Sequence, residues 1–198
     1  MDIIRFIPGG GAQPRVGVSD GQVVIELGTA TVAELLRQPA AEIRRRCERA
    51  REAGRRTHLL AEVTARAPVD ERTEVWAAGV TYELSQRERM KESVGAAAFY
   101  QQVYDAERPE LFFKSAAWRV AGPGQPIAVR ADSVIDVPEP ELALVLNARA
   151  EICGYTICVT RSLLSRRRAA WDCRSLARCS ATASRPPRRA THTWRVIQ

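Results

Sequence analysis

The sequence predicts an α+β protein in which a small N-terminal α/β domain precedes a β-rich domain. Three observations predict it. Residues 1–29 mix short apolar runs with turn residues, and residues 31–53 carry a helical apolar repeat. From residue 74 onward, apolar runs are separated by loops rich in Gly, Pro and Asp, the pattern of a β-rich layer.

The elements follow in order. Gly9-Gly10-Gly11 marks a turn, and no Gly-Lys-Ser/Thr follows it, so a phosphate-binding loop is not expected. Val16–Val18 and Gln22–Leu27 read as hairpin strands joined across Ser19-Asp20-Gly21. Thr31 is placed to cap a short helix, and Pro39 separates that helix from a longer one that it helps to start. Leu36, Ala40, Ile43, Cys47 and Ala50 recur at spacings of four and three and form one apolar face. The arginines at 44, 45, 46, 49 and 51 fall mainly off that face and read as solvated. Leu59–Val63 reads as a short strand, and Ala67-Pro68-Val69-Asp70 reads as a linker that ends the first domain near residue 70.

Beyond the linker, Glu74–Tyr82 reads as a buried strand leading into a polar helix that ends near Ser93. A second helix covers Gly95 to about Asp105. Leu111–Lys114, Ile127–Arg130, Glu141–Leu146 and Ile152–Ile157 are strand candidates.

Charge narrows the partners. The chain of 198 residues has a net charge of +7, but ten arginines and a single acid, Asp172, lie in residues 159–198. The first 158 residues hold 20 basic and 22 acidic side chains. The body is therefore slightly acidic, and nucleic acid is not an expected partner of it. The competing reading is a tail that grips phosphates through Arg166–Arg168 and Arg185–Arg189, although no nucleic-acid-binding fold is recognisable there. No apolar run approaches the roughly 20 residues of a membrane helix. The N-terminus is a poor signal peptide, so a cytoplasmic location is expected. The five cysteines form no C-x-x-C pair and read as free thiols rather than a zinc site. His58 and His192 have no partner pattern, and Trp76 and Trp118 read as core or rim residues.

The chemistry concentrates in Val137-Pro138-Glu139-Pro140-Glu141-Leu142-Ala143-Leu144-Val145-Leu146. Residues i and i+2 of a strand share a face, so Glu139 and Glu141 converge beside an apolar run. Two carboxylates held close repel unless a cation lies between them, and all-oxygen ligands suit a hard ion such as Mg²⁺ or Mn²⁺. Pro140 cannot donate to a ladder, which places this point at an edge or a bulge. A Glu-x-Glu on a solvent face is the bland alternative.

The wider pattern resembles the fumarylacetoacetate hydrolase family. Glu74–Tyr82 looks like the strand that opens the family's catalytic domain. Val103-Tyr104-Asp105-Ala106-Glu107-Arg108-Pro109-Glu110-Leu111-Phe112-Phe113-Lys114 is similar to its Arg-Pro-Glu-(Ile/Leu)-Phe-Phe-Lys segment. Ile127–Arg130, Pro138–Ala143 and Gly154-Tyr155-Thr156-Ile157 follow in family order. The wording is closest to the branch of 2-keto-3-deoxy-D-arabinonate dehydratases. The resemblance covers roughly residues 72–158.

It implies an incomplete fumarylacetoacetase-like catalytic domain, a mixed β-roll, over 71–158. Residues 1–70 form the small N-terminal domain, and 159–198 form an arginine-rich tail outside the family pattern, expected to be disordered. Glu139 and Glu141 would be two of three carboxylate ligands to Mg²⁺ or Mn²⁺. Glu110 would act as acid or base, Lys114 would support the site electrostatically, and Gly79 and Tyr82 would lie near the pocket mouth. The implied substrate is a 2-keto acid whose carboxylate and C2 carbonyl chelate the ion, which stabilises an enolate. Loss of the C3 proton and the neighbouring hydroxyl would give a 2,5-dioxo acid. The alternative is hydrolysis of a C–C bond, as in acylpyruvate or fumarylacetoacetate hydrolases. Homo-oligomers are the family's usual assembly.

The pattern departs from the family after Thr156-Ile157. Thr160 stands where the family carries the aspartate that is its third ligand, and the chain then becomes rich in Arg, Ser, Ala, Pro and Cys. That composition is what GC-rich coding sequence yields out of frame, so a frameshifted or truncated product is expected. With one ligand missing, the ion is expected to bind weakly and this chain to be inactive. A non-catalytic fragment is the remaining alternative.

Overall fold

The computed structural model describes residues 1–79, 83, 97–129, 131, 133–165 and 194–196, with side chains for all of these except 97, 99, 100, 134–137, 161–165 and 194–196. The chain forms two compact units. One joins Met1–Asp70 to Ala121–Gln198, and the other is Glu71–Val120.

The first unit is an antiparallel sheet. Its strands are β1 (Asp2–Ile7), β2 (Arg15–Ser19), β3 (Val23–Glu26), β4 (Thr57–Leu59), β5 (Thr64–Ala65), and, later in the chain, β8 (Ser133–Leu146), β9 (Ile152–Ser165) and β10 (Trp194–Val196). Their order is β4-β3-β2-β1-β10-β9-β8, and β5 also pairs with β1. β2 and β3 form the expected hairpin, with Val18 opposite Ile25. Its turn is built by side chains: Asp20 Oδ1 accepts from the amides of Gln22 and Val23, and Ser19 Oγ donates to the Val23 carbonyl.

Two helices complete this unit, α1 (Val32–Leu35) and α2 (Ala40–Glu52). Thr31 caps α1 as expected, accepting from the Glu34 amide, and Pro39 opens α2. The predicted face of α2 is the one buried: Ile43, Cys47 and Ala50 are at most 1% exposed. They join Ile3, Val16, Val18, Leu27, Val32, Leu35 and Cys153 in the main core. Ile4, Phe6 and Val24 form a second cluster, covered by Leu60, Val63 and Ala65. Strand β1 is thus buried on both faces, which explains its nearly unbroken apolar run.

Three strand expectations need correction, one of them being Glu74–Tyr82, which is not a buried strand, since Trp76 is 56% exposed. Leu59–Val63 is not one strand: β4 ends at Leu59, a 3₁₀ turn covers Leu60–Glu62, and β5 begins at Thr64. A regular strand would send Leu60 and Val63 to opposite faces. The turn lets both pack on Ile4, Phe6 and Val24. The stretch 127–129 has no ladder partner among the described residues, and Ile127 and Val129 stay about half exposed. Pro126 precedes it, and without a neighbouring strand its apolar composition does not make an element.

The chain leaves this unit at a pinned point. The buried carboxylate of Asp70 accepts from the amides of Val32 and Ala33, each at 2.9 Å, and lies 3.1 Å from Arg5 Nε. It re-enters beside the same place. A Cβ on Gly122 would stand 2.7 Å from the Ala67 nitrogen, so only glycine lets these backbones approach.

The second unit holds β6 (Glu74–Ala78), α3 (Ala97–Asp105) and β7 (Leu111–Ala116), with a 3₁₀ turn at Ala117–Arg119. β6 and β7 pair antiparallel, with an irregularity between Val75 and Trp76. α3 is the described part of the predicted second helix. Of the predicted helix from Tyr82 to about Ser93 only Glu83 is among the described residues, and the arginine clusters, Cys173, Cys179 and His192 lie outside them.

Candidate metal centre

Among the described residues β8 is the edge strand of its sheet, which suits Pro140 because an edge leaves its missing N–H without cost. β8 and β9 pair in long register, with Glu139 opposite Thr160 and Glu141 opposite Cys158. Directly opposed residues share a face, so Glu139, Glu141, Thr160 and Cys158 stand on one side of the hairpin. The two glutamates are about 7 Å apart along the strand, as a two-residue step requires. Both are partly buried, as are Ala143 and Val145 on the same face. The other face carries Pro140, Leu142, Leu144 and Leu146, all exposed.

The donors suit a hard divalent cation in kind, since carboxylate oxygens are its ligands of choice. Their number is smaller than such a site needs. Among the described residues, no group of three or more His, Cys, Asp and Glu is arranged to hold a metal ion. The hydroxyl of Thr160 is buried and has no hydrogen-bond partner among the described residues. An orphaned neutral oxygen therefore stands opposite Glu139, where a third oxygen donor would be of use. The Cys158 thiol donates weakly to the Glu141 carbonyl at 3.6 Å. Sequence reasoning singled out Thr160 but not Cys158, whose place follows only from the hairpin register.

The hairpin is anchored at its turn. Asn147 is 6% exposed. Its Nδ2 donates to the Gln38 carbonyl at 2.9 Å and to Glu151 Oε2 at 2.6 Å. Its Oδ1 accepts from the amides of Arg149 and Glu151. The Ala148 amide donates to the Leu36 carbonyl, and Glu151 Oε2 accepts from the Ala40 amide at 2.8 Å. The bond from Ala40, and then that from Asn147, holds the Glu151 carboxyl below the usual carboxylate range. Beside this turn Cys153 is buried in the main core and Val145 packs against it.

Gly79, Glu110 and Lys114 belong to the second unit. The Gly79 amide donates to the Glu110 carbonyl at 2.8 Å, extending the β6–β7 ladder, and the Glu110 side chain passes 3.8 Å from a Cβ placed on Gly79. Lys114 Nζ lies 5.7 Å from the Phe112 ring centre, a cation–π contact. Tyr82 lies outside the described residues.

A separate polar cluster gathers around Glu26. It accepts from Arg15 at 2.7 Å, faces Arg56 at 3.9 Å and lies 2.7 Å from His58 Nε2. His58, incidental in the sequence, is thus an ion-cluster residue that also packs its ring against Phe6. The adjoining cleft of about 260 Å³ at Gly9–Gly11 is lined by Arg15 and Arg56, whose guanidiniums face Glu26.

Comparisons with known proteins find dehydratases of 2-keto-3-deoxy sugar acids. A probable 2-keto-3-deoxyxylonate dehydratase of Haloferax volcanii is 54% identical over 93 residues, 47% of this chain and 31% of that protein. The 2-dehydro-3-deoxy-D-arabinonate dehydratase of Saccharolobus solfataricus is 46% identical over 93 residues, 46% of this chain and 31% of that protein. The chain thus spans about a third of the length of these relatives. A solved 2-keto-3-deoxy-D-arabinonate dehydratase, complexed with magnesium and 2,5-dioxopentanoate, superposes with a TM-score of 0.56 at 27% identity, covering 82% of this chain and 56% of that one. No family model matches the chain. In its α+β fold and over about half of its sequence, the chain is thus similar to 2-keto-3-deoxy sugar-acid dehydratases, in line with the resemblance to the fumarylacetoacetate hydrolase family read from its motifs.

Proposed function

We propose that Glu139 and Glu141 are metal ligands and that the site they belong to dehydrates a 2-keto-3-deoxy sugar acid. The observation that supports this best is the shared, partly buried face of the two carboxylates on an edge strand. The similarity to two dehydratases of such acids supports this substrate class. A bound Mg²⁺ or Mn²⁺ would supply Lewis-acid chemistry at the 2-keto group.

The chain's own residues take the remaining roles. Glu139 and Glu141 hold the ion and balance its charge. Glu110 takes the C3 proton or returns one to the leaving hydroxyl, so that water departs. Lys114 adds positive charge near an anionic substrate, and Gly79 and Tyr82 line the pocket mouth. The division into residues 1–70, 71–158 and 159–198 belongs to the same reading. So do a cytoplasmic location and homo-oligomeric assembly.

Two carboxylates and a threonine hydroxyl hold a divalent ion weakly, and this chain is expected to turn over little or no substrate. Titration with Mn²⁺, followed by electron paramagnetic resonance, tests the ligand assignment. Weak binding is expected, removed by Glu139→Gln with Glu141→Gln. Binding that survives this pair of substitutions refutes the assignment. Clear metal-dependent turnover of a 2-keto-3-deoxy sugar acid by the unaltered chain refutes the expected inactivity.

A further inference from the structure

We propose that Asn147 and Glu151 are positioning residues for the carboxylate pair, joining its hairpin to the start of α2. This rests on the reading of Glu139 and Glu141 as metal ligands.

Three hydrogen bonds cross from the turn to the α1–α2 junction: Asn147 Nδ2 to the Gln38 carbonyl, the Ala148 amide to the Leu36 carbonyl, and the Ala40 amide to Glu151 Oε2. The last one fills a vacancy. Pro39 is the N-cap of α2 and offers no side-chain acceptor, so the first turn of the helix lacks a local cap. Glu151 supplies it from 111 residues away. Its negative charge at a helix N-terminus is also favourable. Asn147 in turn fixes the Glu151 carboxylate at 2.6 Å. The buried Asn147 amide uses both hydrogen-bonding ends, so substitution leaves buried polar groups unpaired.

Glu141 stands six residues before Asn147, about 20 Å along the strand. Among the described residues β8 is the sheet edge and has one ladder neighbour, β9. Its placement depends on that pairing and on the turn. A loosened turn lets β8 and β9 open together and spreads the carboxylates over more positions. The metal then meets a less ordered pair.

The experiment uses the full chain and two readouts. Hydrogen exchange, without metal, follows segments 141–146 and 152–157. Mn²⁺ affinity is measured in parallel. Asn147→Ala is expected to speed exchange in both segments by roughly tenfold, and to weaken Mn²⁺ binding several-fold, with β1 and β2 unchanged. Glu151→Gln keeps an oxygen for the Ala40 amide and is expected to stay within about twofold of the unaltered chain.

Unchanged exchange in Asn147→Ala overturns the clasp. Faster exchange with unchanged Mn²⁺ affinity overturns its link to the carboxylates. If the unaltered chain binds no Mn²⁺, the metal reading and that link both fail, while exchange still decides the clasp. Glu151→Ala removes the cap and one of the two acceptors of Asn147 Nδ2, leaves the bond to Gln38, and serves if Asn147→Ala fails to fold. Unchanged exchange there also overturns the proposal.

Discussion

The two ends of the sheet in the first unit obey the same alternation but differ in what covers them. In β1 to β3, side chains on both faces are enclosed: Ile3, Ile4, Phe6, Val16 and Val24 are all fully buried. In β8 and β9 one face is partly buried, while Leu142, Leu144, Leu146 and Ile157 on the other keep about half of their surface exposed. The strands of the second unit resemble the latter, with Trp76, Leu111 and Phe113 more than half exposed. Periodicity decides which face a residue joins. Only a neighbouring layer decides whether that face is a core. The candidate metal ligands lie on the partly covered end, where a carboxylate can stay hydrated or take a cation.

The largest effect that would break this comparison is a large-to-small change in the enclosed end. Phe6→Ala is expected to cost about 3–5 kcal/mol in chemical denaturation. Leu144→Ala, on the exposed face, is expected to cost under about 0.5 kcal/mol. Equal costs would mean that the second face is covered as well as the first. Next comes Asp70→Ala, which strips both helix amides of their acceptor and Arg5 of its ion-pair partner. It is expected to cost about 2–4 kcal/mol by the same assay, well above any charge removed from the outer side of α2.

At the candidate centre, Thr160→Asp places a third carboxylate opposite Glu139. It is expected to strengthen Mn²⁺ binding by at least about tenfold in a titration. No gain would mean that position 160 does not face the ion.

A smaller effect sharpens the contrast by pH. Burial raises the Glu26 carboxyl, but the bonds from His58 and Arg15 outweigh it and hold the carboxyl below its ordinary value of 4.5. The stability it contributes is complete above that value and is lost as pH falls through the depressed folded value. Acid titration of unfolding should therefore show a loss below about pH 4.5 that Glu26→Gln lacks. Finally, burial raises the Cys47 thiol to about 11. Cys47 should stay unlabelled by thiol reagents at neutral pH in the folded chain, because almost none of it is thiolate.

Much of this was legible in the sequence, for reasons tied to short range. Thr31 as a cap, Pro39 as a helix start, the Asp20-Gly21 turn and the buried face of α2 all follow from residues within about one or two helical turns of each other. Pro140 narrowed its point in β8 to an edge or a bulge, and the i, i+2 rule put Glu139 and Glu141 on one face. The division of Leu59–Val63 was not legible, because it answers to Ile4, Phe6 and Val24 across the sheet. Nor was the irregular course of 127–129, where apolar composition lacks a neighbouring strand. The clasp at Asn147 and the pairing of β10 between β1 and β9 were invisible for the same reason. They join segments that are far apart in the chain.

The cap on α2 has a consequence for synthesis. Ala40 leaves the ribosome 111 residues before Glu151, the side chain that completes its helix start. At about 5–20 residues per second, that delay is roughly 6–22 s. Throughout it the first helices and strands exist without the hairpin that closes their unit. A nascent chain paused in that interval should be more open to protease at residues 36–40 than the released chain.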